Sequence, residues 1–184
     1  MLKKIVKTYK ATVMLGKVFR EKEINLLYGE SGVGKTVSAI KALNNEGIEP
    51  ILLDFDNNDS PTENKCDYIH INGLLYLSDD KSVIPKDKVI IIDTWQLLLS
   101  NGGNIDSVNK IKEAGNTVIL IAHNKPIATK KDIPDIDSKY ANHFGSKLFL
   151  ERDYSKKTKS SIYNLHILKC RGYKGDAVIE DWMR

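Results

Sequence analysis

The stretch that decides the fold is "INLLYGESGVGKTVSAI", residues 24–40. It opens as an apolar run typical of a buried strand, passes three glycines and a lysine within seven residues, and resumes with a pattern typical of a helix. Residues 29–36, "GESGVGKT", match Gly-x-x-x-x-Gly-Lys-Ser/Thr in the setting where that motif binds phosphate, between a strand and a helix. The stretch therefore predicts a phosphate-binding loop.

The residue types of this loop indicate which ligand it takes. Glycines let backbone N–H groups turn toward an anion, and the N-terminus of the following helix adds partial positive charge. We expect Lys35 to reach the β- and γ-phosphates and the Thr36 hydroxyl to bind Mg²⁺. The alternative is a glycine-rich turn that binds nothing. The predicted ligands are ATP and Mg²⁺, and the predicted binding residues are Gly29, Glu30, Ser31, Gly32, Val33, Gly34, Lys35, Thr36 and Val37.

A bound Mg²⁺ requires a further carboxylate, and Asp93 stands where one is expected. It closes the apolar run "KVIIID", residues 88–93, as the Walker B aspartate of P-loop proteins closes its strand. We predict Asp93 to be part of the metal site; the alternative is an aspartate that only ends a strand.

Hydrolysis also needs a base that orients water, and Thr94, not glutamate, follows Asp93. The stretch "ILLDFDNND", residues 51–59, offers carboxylates at the end of a neighbouring strand, where ligands of α/β sheets bind. We predict Asp56 as the base because it lies nearer the strand end than Asp54. Glu63 and a solvated loop without catalytic function are the alternatives.

The hydrophobic pattern along the chain predicts an α/β fold. Strand-like segments occupy residues 23–28, 50–56, 67–72, 88–93, 117–122, 146–152, 162–169 and 177–182. Helix-like segments occupy residues 35–46 and 104–114. Continuous apolar runs suit a parallel sheet covered on both faces, and the last three strands, which have no helices between them, suit hairpins. We predict one domain over residues 1–184, with a mainly parallel sheet and a C-terminal antiparallel extension.

Composition narrows the class of protein. The chain has 184 residues, of which 41% are hydrophobic and 28% are charged, as expected for a single globular domain. No apolar run approaches the ~20 residues of a membrane span, so we predict a cytoplasmic protein without a membrane partner. Cys66 and Cys170 have no metal-type spacing and are expected to be reduced thiols. The net charge of +4 lies in residues 147–184, where it suits a polyanionic partner or a solvated face.

Together these segments resemble RecA-like ATPases, the core shared by RecA recombinases and by hexameric helicases of the DnaB and RepA kinds. The resemblance covers nearly the whole chain and rests on six stretches: "YGESGVGKT" (28–36), "LLDFD" (52–56), "VIIIDTWQLL" (89–98), "VILIAHNK" (118–125), "FGSKLFLERD" (144–153) and "NLHILKCRGYKG" (164–175). It implies a RecA-like P-loop fold, ATPase activity and an oligomer.

The resemblance also implies roles for three residues outside the loop. His123 matches the strand-end histidine that senses the γ-phosphate in RepA-like proteins. Lys169 and Arg171 match the Lys-x-Arg that DnaB-type enzymes deliver to the γ-phosphate of a neighbouring subunit, where an arginine stabilises charge in the transition state. The alternatives are a structural histidine and an ordinary basic hairpin.

Residues 124–145, "NKPIATKKDIPDIDSKYANHFG", form the longest polar stretch. Loops of this length are usually functional or disordered, and in RecA-like proteins the loop at this place binds single-stranded DNA. The cations that could contact phosphates are Lys125, Lys130, Lys131 and Lys139. Because three aspartates offset them, a solvated loop is the alternative.

The sequence thus predicts an ATP-hydrolysing core that acts on single-stranded DNA in replication or recombination, as a homo-oligomer with an active site shared between subunits. Helicase and recombinase activities are not separated by the sequence. Because an aspartate replaces the usual glutamate base, a nucleotide switch with slow hydrolysis is the alternative. A small-molecule kinase, with residues 152–159 as its lid, is a further one.

Overall fold

The computed structural model describes residues 14–55, 67–70, 84–124, 143–155, 159–170, 177–180 and 182, and the structural statements below concern these residues. The strands are β1 (Met14–Leu15), β2 (Phe19–Arg20), β3 (Ile24–Gly29), β4 (Ile51–Asp54), β5 (Asp67–His70), β6 (Val89–Asp93), β7 (Thr117–His123), β8 (Phe144–Ser155), β9 (Ser160–Cys170) and β10 (Ala177–Ile179). The helices are α1 (Lys35–Asn44), α2 (Trp95–Ser100) and α3 (Ile105–Glu113). None of these helices is long and apolar enough to cross a membrane.

Strands β3 to β10 form one sheet in the order β10-β9-β8-β3-β7-β6-β4-β5. The six strands from β8 to β5 in this order run parallel to one another. Strand β9 is antiparallel to β8, and β10 is antiparallel to β9. A separate pair, β1 and β2, precedes them. The predicted α/β fold, with a mainly parallel sheet and a C-terminal antiparallel extension, is confirmed.

The parallel strands are covered on both faces, which explains why their sequences are continuous apolar runs. Helix α1 packs on one face, and α2 and α3 pack on the other. The α1 face is built from Leu27, Leu52, Ile91, Ile119, Ala39, Ile40 and Leu43. The opposite face is built from Leu26, Ile90, Leu120, Leu98, Val108 and Ile111. The helices on the two faces fix the C-terminal ends of the parallel strands β3, β4, β6 and β7 at one edge of the sheet.

The structure differs from the sequence-based elements mainly at their ends. The helix predicted over residues 35–46 ends at Asn44, and Gly47 follows in a left-handed conformation with φ 75°. The last strand, predicted over residues 177–182, ends at Ile179, and Trp182 packs into the core beyond it. Helix α2 was not predicted. It has only six residues, too few for a helical period to show, and the Thr94 side chain caps it by accepting from Leu97 N at 3.4 Å.

A buried asparagine ties the start of β3 to its neighbours. Asn25 is 0% exposed, and its Oδ1 accepts hydrogen bonds from Arg20 N and Ser146 Oγ, both at 2.8 Å. Its Nδ2 donates to the carbonyl oxygens of Arg20 at 3.0 Å and Val118 at 3.2 Å. One side chain therefore links β2, β7 and β8 to β3 at the edge opposite the phosphate-binding loop.

Candidate nucleotide-binding site

The predicted phosphate-binding loop joins β3 to α1 and adopts backbone conformations that favour glycine. Gly32 has φ 72° and Gly34 has φ 89°, both left-handed. Gly34 is the N-cap of α1. Among the described residues, no side chain caps this helix and its first turn contains no acidic residue. The first-turn N–H groups therefore lack a side-chain acceptor and are suited to bind an anion.

The first glycine of the motif is required for a different reason. A Cβ at Gly29 would lie 2.4 Å from the carbonyl oxygen of Leu150 in β8, too close for any side chain. Glycine thus lets β8 approach the root of the loop, so the loop and the β8–β9 hairpin form one wall of the site.

Lys35 begins α1 and its ammonium group points back into the loop. It is only 4% exposed, and its Nζ donates to the carbonyl oxygens of Gly29 at 3.2 Å and Glu30 at 2.7 Å. Burial lowers the pKa of Lys35 to about 8, although the negative charges of Asp93 and Glu30 oppose the shift. A phosphate at the loop would supply the anionic partner that this buried ammonium needs.

Thr36 and Asp93 meet at the metal position predicted from the sequence. The Thr36 hydroxyl donates a hydrogen bond to Asp93 Oδ2, and both residues are buried. The described ranges contain no cluster of three or more His, Cys, Asp or Glu side chains that could hold a metal alone. A hydroxyl and a carboxylate nevertheless fit Mg²⁺, which prefers oxygen ligands and typically takes one or two protein carboxylates together with water and substrate phosphates.

A second carboxylate lies beside Asp93. Asp54 is 1% exposed and pairs with Asp93 in the β4–β6 register, and Phe55 N donates to the Asp93 carbonyl oxygen at 2.9 Å. Asp56, the predicted base, lies outside the described residues, so its role stays a prediction. Because side chains alternate along a strand, Asp54 lies on the same face as Asp93 and faces α1.

Two residues that the sequence did not single out, Gln96 and Asn124, lie at the end of β7. Gln96 in α2 holds His123, the predicted sensor: its Nε2 donates to His123 O at 2.9 Å, and its Oε1 accepts from His123 N at 3.2 Å. Asn124 N then donates to Gly29 O at 3.0 Å. Both amide atoms of the Asn124 side chain are buried and have no hydrogen-bond partner among the described residues. The sequence predicted a role only for His123 at the strand end. The contacts of Gln96 and Asn124 could not be predicted, because they depend on how β6, β7 and α2 are placed.

A small cavity adjoins the loop on the β8 side. Its volume is about 130 Å³, and it is lined by Glu30 and Val33 of the loop and by residues 149–152 of β8. Tyr163 in β9 borders the loop, since its Cε1 would lie 3.6 Å from a Cβ at Gly34. The Arg152 guanidinium lies 6.0 Å from the centre of the Tyr163 ring. This corner offers apolar, aromatic and cationic groups beside the phosphate-binding loop.

Lys169, by contrast, is placed far from its own phosphate-binding loop. It pairs with Lys147 of β8, which pairs with Leu26 of β3, three residues before the loop begins at Gly29. Burial and the positive charge of Lys169 lower the pKa of Lys147. The other predicted cations, Arg171, Lys125, Lys130, Lys131 and Lys139, lie outside the described residues.

The fold and this site together are those of an α/β protein with a P-loop between its strand β3 and its helix α1. Neither a protein-family model nor a curated protein matches the sequence. Among solved structures, the chain is similar to the flagellar accessory protein FlaH from Methanocaldococcus jannaschii, with a TM-score of 0.56 and 16% sequence identity. The similarity covers 86% of this chain and 84% of that one. At this identity the likeness supports the fold alone.

Proposed function

We propose that the protein binds ATP with Mg²⁺ and hydrolyses it. The observation that carries the proposal is the convergence of Lys35, Thr36 and Asp93 at a glycine loop on the N-terminus of α1. Mg²⁺ in such a site neutralises charge on the phosphates. The chain contributes an ammonium for the phosphate oxygens, a hydroxyl and a carboxylate for the metal, and backbone N–H groups for the anion.

The base of the nucleotide then lies toward the β8–β9 hairpin. The cavity beside Glu30 and Val33 is lined by β8, which lies across β3 from the strand that carries Asp93, so it suits the end of the nucleotide that carries no γ-phosphate. Arg152 and Tyr163 supply a cation and an aromatic face, on which a purine can stack. This arrangement favours a nucleotide over a bare polyphosphate.

ATP turnover with Mg²⁺ tests the proposal directly. Lys35→Ala and Asp93→Asn are expected to abolish turnover, while circular dichroism shows that both variants are folded. Nucleotide binding without turnover in the wild-type protein would favour the nucleotide switch. If neither ATP nor ADP binds, the proposal is wrong.

A separate measurement tests where the purine base of the nucleotide binds. Arg152→Ala and Tyr163→Ala are expected to weaken ATP binding about tenfold, in line with ~1–3 kcal/mol for stacking, and to leave inorganic tripolyphosphate binding unchanged. Tyr154→Ala is a matched control, because Tyr154 is on β8 beyond Arg152 and is 59% exposed. Equal losses of affinity for ATP and for tripolyphosphate would contradict the proposed position of the purine base.

The finer proposal is that the ATPase acts on single-stranded DNA as a homo-oligomer in replication or recombination. Two observations support it: the net charge of +4 lies in residues 147–184, and Lys169 is placed away from its own loop. Stimulation of turnover by single-stranded DNA at low salt, lost at high salt, is the expected result. Absence of both DNA binding and stimulation would refute the DNA part.

Sharing of the site between subunits has its own test. Lys169→Ala and Lys35→Ala should each be inactive alone, and a mixture of the two should regain part of the turnover, because one subunit supplies the loop and its neighbour supplies Lys169. No recovery in mixtures that contain hetero-oligomers would refute the shared site.

A further inference from the structure

The C-terminal end of β7 is held on one side by a side chain in place of a strand. The register between β6 and β7 pairs residues only as far as Ile92 and Leu120, three residues before β7 ends at His123. At His123 the Gln96 amide takes over, donating to its carbonyl oxygen and accepting from its N–H. A primary amide carries a donor and an acceptor as a peptide group does, so Gln96 stands in for the missing strand neighbour.

The same contacts connect β6 and β7 on either side of the candidate site. Gln96 is the third residue after Asp93, which meets Thr36 at the metal position. The next residue after His123 is Asn124, whose N–H reaches Gly29 at the root of the loop. Gln96 thus connects the strand that carries the metal ligand with the strand that borders the loop.

The exposure of Gln96 argues against a mainly structural purpose. Its side chain is open to solvent, and exposed neutral hydrogen bonds stabilise a fold little because water competes for both groups. The group that it places, however, is buried: both amide atoms of Asn124 are shielded and lack described partners beside the loop. Buried polar atoms of this kind are expected to have a ligand or water as their partner.

We propose that Gln96 is a positioning residue for ATP hydrolysis. By holding His123, it aligns the end of β7 with the loop and directs Asn124 and His123 toward the reacting phosphate. The inference rests on the proposed function. Because Gln96 does not line the loop that binds the phosphates, its effect falls on turnover and not on nucleotide affinity.

Two variants separate the contributions of the amide. Gln96→Leu removes both hydrogen bonds at similar volume. Gln96→Glu keeps an acceptor for His123 N but sets a carboxylate oxygen against the His123 carbonyl oxygen. Asn101→Leu is the matched control, because Asn101 follows the same helix and is exposed. Among the residues that the structure describes, its side chain donates only to Leu97 O, at 2.8 Å.

The steady-state rates give the first readout. We expect kcat of Gln96→Leu to fall about tenfold or more with KM within about twofold, the pattern of an interaction made in the transition state. Gln96→Glu should lose a similar factor, and Asn101→Leu should match the wild type. An unchanged kcat, a change in KM alone, or an equal loss in Asn101→Leu would overturn the proposal.

Amide hydrogen exchange gives a readout that needs no turnover. In Gln96→Leu we expect the N–H groups of His123 and Asn124 to exchange about tenfold faster, because the end of β7 opens locally, while Val118 in the same strand keeps its protection. Unchanged exchange at Asn124 would overturn the positioning role even in an active enzyme. A wild-type protein without turnover would refute the proposed function, and the exchange rates would still decide whether Gln96 holds β7.

Discussion

The ionisation of Lys35 gives the most direct quantitative prediction. Burial lowers its pKa to about 8, and a bound phosphate requires the charged form. With a pKa of about 8, the protonated fraction falls from about 91% at pH 7 to about 9% at pH 9. If the phosphates keep Lys35 charged in the complex, the Kd for ADP should rise about tenfold over this range. Phosphate ionisation contributes little, because its pKa of about 6 lies below the range.

The assay is titration calorimetry with ADP and Mg²⁺ at several pH values, and Lys35→Arg is the control because arginine stays charged throughout. Its Kd should be independent of pH, whatever its absolute value. The stability of the free protein should change in the opposite direction: the folded-state pKa is below the unfolded one, so the cost of burying the charge disappears as pH rises from about 8 toward 10.5. A wild-type Kd that is flat between pH 7 and 9, or an equal slope in Lys35→Arg, would refute this reasoning.

Three further predictions concern packing and burial. Gly29→Ala should lower the free energy of unfolding in urea by about 1–3 kcal/mol, because its Cβ would meet Leu150 O at 2.4 Å; unchanged stability would contradict that close approach. Asn25→Leu should cost at least about 2 kcal/mol by leaving buried partners such as Ser146 Oγ unpaired, and a neutral effect in the same urea assay would count against the network. In a Cys66→Ser background, Cys170 should react slowly with iodoacetamide at pH 8 until urea is added, because it is buried and its pKa is raised; fast labelling of the folded protein would disprove this.

The features readable from the sequence are those in which neighbouring residues act together. The loop, the lysine and the threonine lie within eight residues between a strand and a helix, so one motif specifies their chemistry and their placement. The parallel sheet was predictable because strands covered on both faces are continuously apolar. Asp93 was expected beside the loop because it closes an apolar strand as the Walker B aspartate of P-loop proteins does, and its carboxylate accepts a hydrogen bond from Thr36.

The features that the sequence missed depend on register between distant segments. Gln96 reaches His123 only because β6 stops pairing with β7 at Leu120 and α2 turns back over the strand end. Arg152 and Tyr163 meet because they are paired across β8 and β9, eleven residues apart. A six-residue helix and a cross-strand pair leave no periodic signal, so the sequence does not predict that these side chains meet.

The placement of Lys169 bears on how such a site can be completed. Lys169 lies at the level of Leu26 in the sheet, and Leu26 is three residues before Gly29, about 10 Å along β3. The step from β3 across β8 to β9 adds about another 10 Å across the sheet. A lysine side chain extends about 6 Å, so Lys169 cannot reach phosphates held beyond Gly29 in its own subunit. Any contact between Lys169 and a nucleotide phosphate must therefore be made across an interface, which requires the protein to assemble before that residue can act.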